Sequence, residues 1–424
     1  MRFTIAYVSV PIGIVQDCPK QQMFLRFFLP LRNRSGRKEI FSVGAIFLKT
    51  CIVNATIVLS DHLIPDGKIA VADGRIADYG NDVNTAGMEI IDAKGLYVGP
   101  GLIDIHTHAA DNVYFFDDPN ATSDYSLKHG VTGIMPALYF NMNVSEYLRA
   151  IETIDASVDA GRFPNFLGYY MEGPYLNPRF GCEKENNPWR NPIRREDYLP
   201  VVKAVQNRAR VFCVAPEREG ILDFVRDVKQ LVPNAVFSVA HSEATPAQTE
   251  GLIPFGLRLA THHTNATGTL VKYPECRGVC VDETVSYHSD IYAEMICDSK
   301  GIHVDPYMQR LIRKIKGDDR LILVSDSFVA YGPIPSGYDG VTDINFDFDG
   351  EIAGTRMTLD AACRNIMVHT GASVCDAFRF ASANPATLLG ITDRGRIQIG
   401  ARADLVFVDH RFDVKNVMFA GNLL

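Results

Sequence analysis

Apolar and polar positions follow different rhythms along this chain. From Ala45 to about residue 100 they alternate in short runs, AIFLKTCIVNATIVL and then GKIAVADGRIADYG, with Asp73-Gly74 between two of them. Period-two alternation broken by Asp-Gly predicts β-hairpins. The closing stretch GRIQIGARADLVFVDHRFDVKNVMFAGNLL has the same texture. Two β blocks flanking a long middle predict one small β-sandwich domain, built from residues 45–100 and 391–424.

The middle, residues 101–390, reads differently. Its apolar runs are continuous: GLIDIH, VTGIMPAL, NFLGYYME, ARVFCVAPE, AVFSVAHSE, LRLATHH, AEMICD and RLILVSDS. Helix-like segments such as DYLPVVKAVQNRA and EGILDFVRDVKQLV lie between them. Strands covered on both faces lose the alternation and belong to parallel sheets. Eight strand–helix units predict an α/β fold, a (β/α)8 TIM-type barrel. A doubly wound open sheet is the second choice, because no GxGxxG turn follows the first run.

Residues 1–44 fit neither rhythm. MRFTIAYVSVPIGIV has the order of a secretory leader, one Arg and then an apolar run. It lacks a small-x-small cleavage site and Pro11 interrupts the run. The segment is read as an extension to the fold, with Met23 as an internal candidate start.

Composition narrows the classes of function. With 47% hydrophobic and 22% charged residues, the chain has ample material for a large core. A net charge of −8 without a basic stripe argues against nucleic acid as a partner. No apolar run reaches the roughly 20 residues of a membrane span. The nine cysteines are scattered and form no CxxC pair; Cys276 and Cys280 stand closest. That pattern predicts free thiols in a reducing compartment, hence a cytoplasmic protein.

A barrel carries its chemistry at the C-terminal ends of its strands. Those ends hold His106 and His108, Glu172, His241, His262 and Asp326. Side chains two apart on a strand share a face, so His106 and His108 point together. Each residue alone has an ordinary alternative. A strand-end histidine is commonly a hydrogen-bonded structural group, Asp326 could cap a helix, and Glu172 could pair with an arginine. Four imidazoles and two carboxylates on one rim are another matter, since they are costly to desolvate without a cation. The donor set suits one or two divalent ions, zinc or a similar metal. His62, His129, His288, His369 and His410 are read as surface or structural, and His263 as facing away from the rim.

At these residues the sequence resembles the amidohydrolase superfamily. PGLIDIHTH (100–108) carries its first-strand signature. Within it the chain looks like the N-acetylglucosamine-6-phosphate deacetylase family. The matching pieces are MEGPYLNP (171–178), VAPE (214–217), AHSEAT (240–245), ATHHTNA (260–266), KGIHVD (300–305), LVSDS (323–327) and NPATLLGI (384–391). The resemblance implies that Glu172 is the carboxylate shared by, or next to, the metals. His241 and His262 then complete one site, and His106 with His108 holds a second ion. Asp326 would touch metal and water, acting as general base and then general acid. Asn265 and Ala266 match the backbone that meets a sugar phosphate, and His303 a substrate-contacting imidazole. A homodimer acting on a small amino-sugar substrate, with a phosphate contact across the interface, is also implied.

Three departures bear on specificity. Glu183 stands where the family has a substrate-contacting histidine. Lys272 stands in the segment of an arginine that grips the phosphate, with Arg277 as a second candidate; a lysine supplies a point charge but no bidentate fork. Ala109-Ala110-Asp111-Asn112 replaces a Gly-rich turn. The alternatives are another amidohydrolase, acting on a different N-acyl or cyclic amide, and a non-catalytic homologue. Relatives acting on cyclic amides usually carry a bridging lysine on the fourth strand; ARVFCVAPE has none.

Overall fold

The computed structural model describes residues 28–32, 38–42, 49–268 and 271–424. The expectation for residues 1–44, Met23 included, lies outside these apart from two strands. Those strands, Phe28–Arg32 and Lys38–Ser42, pair antiparallel with each other in a unit of their own.

The long middle forms eight parallel strands. They are β1 (Leu102–Thr107), β2 (Val131–Tyr139), β3 (Tyr169–Glu172), β4 (Ala209–Val214), β5 (Val236–Val239), β6 (Leu257–Ala260), β7 (Tyr292–Ile296) and β8 (Leu321–Val324). Each pairs with its sequence neighbour, in the order β1 to β8. Backbone bonds just beyond the strand ends draw β8 back to β1. Asp326 N donates to His106 O at 3.0 Å, and His108 N to Ser327 O at 2.8 Å. All eight continuous apolar runs of the sequence therefore become barrel strands, buried on both faces as their composition requires.

The helices between them show why one face turns inward. In α1 (Pro119–Lys128) the Asp118 side chain accepts from the first turn; α2 (Val144–Asp159) starts with a capping box between Asn143 and Glu146. After α3 (Arg195–Val205), α4 (Ile221–Leu231) buries Ile221, Phe224, Val225 and Val228, the one-face spacing of an amphipathic helix.

A second sheet gathers both ends of the chain's larger unit. Its order is Asn422–Leu423, Val414–Phe419, Leu405–Val408, Tyr97–Pro100, Thr50–Val58, Leu63–Ala72, Arg75–Gly80, with Glu89–Asp92 also beside Thr50–Val58. Thr50–Val58 changes partner along its length: residues 50–53 pair with Glu89–Asp92, and Thr56 and Ile57 with Tyr97 and Val98. Asn54 sits at the change with φ of 53°, a left-handed backbone that Asn tolerates better than most residues. Ile52, Ile69, Val98, Leu405, Phe407 and Met418 form the core of this small domain. Leu405–Val408 reaches it by pairing with Tyr97–Pro100 directly before β1.

Two hairpins emerge on the functional side. Val271–Tyr273 pairs with Cys276–Arg277 after β6, and Ile344–Phe346 with Ile352–Thr355 after β8. The second is sewn to the barrel rim, since Thr355 N donates to Asp326 O at 2.8 Å. Among the described residues no helix is long and apolar enough to cross a membrane.

Candidate active site

Five strand-end side chains gather around a sixth, the carboxylate of Glu172. Glu172, the last residue of β3, is buried and presents its two oxygens to different partners. Oε2 lies 3.3 Å from His106 Nε2 and 3.0 Å from His108 Nε2. Oε1 lies 2.9 Å from His241 Nε2 and 3.3 Å from His262 Nε2. Asp326 Oδ1 stands 3.5 Å from His106 Nε2 and 3.4 Å from His108 Nε2. His106, His108 and Glu172 form one group able to hold a cation, and Glu172, His241 and His262 form another.

The donor spacing is also that of a site able to hold a metal. His241 and His262 bring their Nε2 atoms within 3.1 Å of each other, beside the same carboxylate oxygen. His106 Nε2 is buried with no hydrogen-bond partner. Ligand atoms about 2.0 Å from a tetrahedral zinc would be separated by about 3.3 Å, close to these distances.

Backbone geometry puts three of these side chains there. β5, β6 and β8 end at Val239, Ala260 and Val324, and His241, His262 and Asp326 each follow two residues later. All three have left-handed backbones, with φ of 42°, 28° and 45°. Such conformations are rare away from glycine and concentrate at functional sites.

The charges follow from burial and proximity. Burial would raise the Glu172 carboxyl, but His106 above all, with His108 and His241, holds it well below the usual carboxylate range. Burial likewise opposes ionisation of Asp326, yet His106 and His108 keep it below its ordinary value despite the neighbouring Glu172. Burial holds His241 down, which favours the neutral, metal-binding imidazole.

Glu294, in the middle of β7, has no place among the residues expected from sequence. It is fully buried, and its Oε2 lies 3.0 Å from His106 Nδ1 and accepts from His262 N at 3.1 Å. A carboxylate behind a ligand histidine fixes its ring and raises its basicity. The signal was present in AEMICD, an acid inside an otherwise apolar strand.

A cavity of about 370 Å³ opens onto this cluster. His108, Glu172, His241, His262 and Asp326 line its floor; Tyr139, Ile296, Phe328 and Ile352 give it apolar walls. Asn265, Ala266 and His303 line one side. Asn265 Nδ2 donates to His303 O at 2.7 Å, while Asn265 Oδ1 and His303 Nε2 are buried without a protein partner. Cys182 also lines the cavity, and burial pushes its thiol up to about 12, which disfavours a thiolate near neutral pH.

Two expected substrate contacts lie elsewhere. Glu183 is half-buried beside the wall, with Asn141 Nδ2 3.5 Å from its Oε2, and does not line the cavity. Its backbone is left-handed, with φ of 49°. Lys272 is exposed on the hairpin after β6, and Arg277 on the same hairpin is paired with Glu283. Neither cation lines the cavity.

Comparison with known proteins agrees with this picture. The profile described as "Amidohydrolase family" matches residues 97–424. The chain is 27% identical over 379 residues to an N-acetylgalactosamine-6-phosphate deacetylase of Escherichia coli O157:H7, covering 85% of this chain and 95% of that protein. It is 26% identical over 390 residues to an N-acetylglucosamine-6-phosphate deacetylase of Bacillus subtilis (strain 168), covering 88% and 96%. A solved N-acetyl-D-glucosamine-6-phosphate deacetylase from Mycobacterium smegmatis is 26% identical, with a TM-score of 0.72 over 88% of this chain and 99% of that one. A barrel rim of histidines and carboxylates and a profile match running from the strand just before β1 through the last β block lead to one assignment: the chain belongs to the amidohydrolase family.

Proposed function

We propose that the protein is a metal-dependent hydrolase of a carbon–nitrogen amide bond. It removes the acetyl group from an N-acetylated amino sugar, N-acetylglucosamine 6-phosphate or a related N-acetylhexosamine phosphate. The observation that carries the reading is Glu172, whose two oxygens each face a separate pair of histidines. The relatives named above, matched over nearly their whole length, supply the substrate class.

His106, His108 and Glu172 would hold one divalent ion and Glu172, His241 and His262 another, with zinc favoured by the histidine-rich set. When bound, such an ion polarises an amide carbonyl and lowers the pKa of water from about 15.7 to roughly 7. Asp326 is the general base: its carboxylate takes a proton from the attacking water. It then returns that proton to the nitrogen as the C–N bond breaks. Water and amide thus become the amine and acetic acid, which leaves as acetate after giving its proton to solvent. Asn265 Oδ1, an acceptor, suits a sugar hydroxyl, and His303 Nε2, as an N–H donor, suits a sugar hydroxyl or a phosphate oxygen; both are buried without a protein partner.

Residues 101–390 form the catalytic barrel in this reading, and 45–100 with 391–424 its supporting β domain. A cytoplasmic homodimer completes it, on the strength of the free thiols and the resemblance. The test is acetate release from N-acetylglucosamine, N-acetylgalactosamine and their 6-phosphates by metal-loaded protein. Release from at least one of them is expected, and Asp326→Asn should abolish it while retaining bound metal. No release from the whole panel, or near-normal turnover by Asp326→Asn, would overturn the assignment.

A further inference from the structure

A sugar phosphate carries close to two negative charges near neutral pH, and burying them requires a cation. Among the described residues no lysine or arginine lines the cavity; its one carboxylate outside the ligand set is Glu351, on the hairpin after β8. Across the mouth, on the loop after β3, Lys184 places Nζ 2.5 Å from Glu351 Oε1. Lys184 and Glu351 are 33% and 47% exposed, so the pair sits at the boundary between cavity and solvent.

We propose that Lys184 is the phosphate-facing cation of the substrate pocket, held over its mouth by Glu351. The inference rests on the deacetylase reading above and adds the residue that selects for phosphate. The left-handed backbone at Glu183 sends that carboxylate toward Asn141 and the next side chain across to Glu351. A positive donor thus returns to the loop one residue after the position where the resemblance expects an imidazole. Lysine suits the task, because its flexible stem and three rotatable donors let Nζ pass from one acceptor to another. A phosphate dianion outbids a single carboxylate for it, so substrate entry breaks the Lys184–Glu351 pair and forms a Lys184–phosphate pair.

The test compares kcat/KM for N-acetylglucosamine 6-phosphate with that for N-acetylglucosamine. In Lys184→Met the ratio should fall roughly tenfold or more, the scale of one charge-assisted hydrogen bond. The double variant Lys184→Met/Glu351→Gln separates two explanations. If Lys184 binds phosphate, the ratio stays low; if Lys184 only neutralises Glu351, the ratio returns to the wild-type value and the proposal fails. Titration of inorganic phosphate into metal-loaded wild type and Lys184→Met gives a readout that needs no turnover. Weaker binding by the variant supports the proposal, and equal binding overturns it even where no sugar is hydrolysed. Absence of acetate release from every sugar would instead count against the deacetylase reading itself.

Discussion

Glu172 and Glu294 are both buried acids on barrel strands, yet they act differently. Glu172 ends its strand and shares its oxygens between two histidine pairs. Glu294 lies mid-strand and touches the back of His106 while anchoring His262 N. Glu294→Gln keeps an acceptor but removes the charge that makes His106 a strong donor. Affinity at the His106–His108–Glu172 group should fall about tenfold to a hundredfold, with the His241–His262 group less affected. Competition against a chelator, followed as the loss of two separate ions, checks this; equal weakening of both would show a general loss of structure. The six candidate ligands were legible because strand ends of a barrel face the site, and the structure brings their side chains together. Glu294 was not, because an acid inside a strand run looks like an isolated exception until its partner is known. Lys184 and Glu351 were hidden for a similar reason: they lie 167 positions apart and meet only through two loops.

Loops after neighbouring strands are locked together by a single carboxylate at the end of VAPE. Glu217 Oε1 accepts from Asn177 Nδ2 at 2.8 Å and from Glu243 N at 2.9 Å, and Oε2 accepts from Ser242 Oγ at 2.7 Å. Asn177 N also donates to His241 O at 3.0 Å. These bonds clamp the chain at and just after His241 and hold its left-handed backbone. Glu217→Ala should destabilise the fold by about 2 kcal/mol through lost bonds to a charged acceptor. It should also narrow the rise in melting temperature that added metal produces, because a freed His241 no longer meets His262. An unchanged metal-dependent rise would show that the clamp is dispensable. All eight strand runs were readable from continuous apolar composition, and DYLPVVKAVQNRA and EGILDFVRDVKQLV became α3 and α4. The left-handed turns at His241, His262 and Asp326 were not readable, since no glycine marks them. Tertiary contacts, among them the bond from Asp326 N to His106 O, hold those conformations against their local preference.

Taken whole, the larger unit is closed by residues far apart in sequence. Leu405–Val408 and Tyr97–Pro100 pair in one sheet, so the closing β block supports the entry into β1 and its two histidines. That arrangement was legible from the matching alternation at both ends. The hairpin after β8 was not, because a short turn-rich stretch gives little periodicity; yet it supplies Glu351 and Ile352 to the cavity. Side chains from β1, from β3 and from just beyond β5 and β6 form two groups able to hold a cation, the centre we propose. Metal content and turnover measured on the same preparation therefore test the account most directly. The account predicts one to two divalent ions per chain, with acetate release lost on chelation and restored on adding metal back. A preparation free of divalent metal that still hydrolyses its amide substrate at full rate would contradict it.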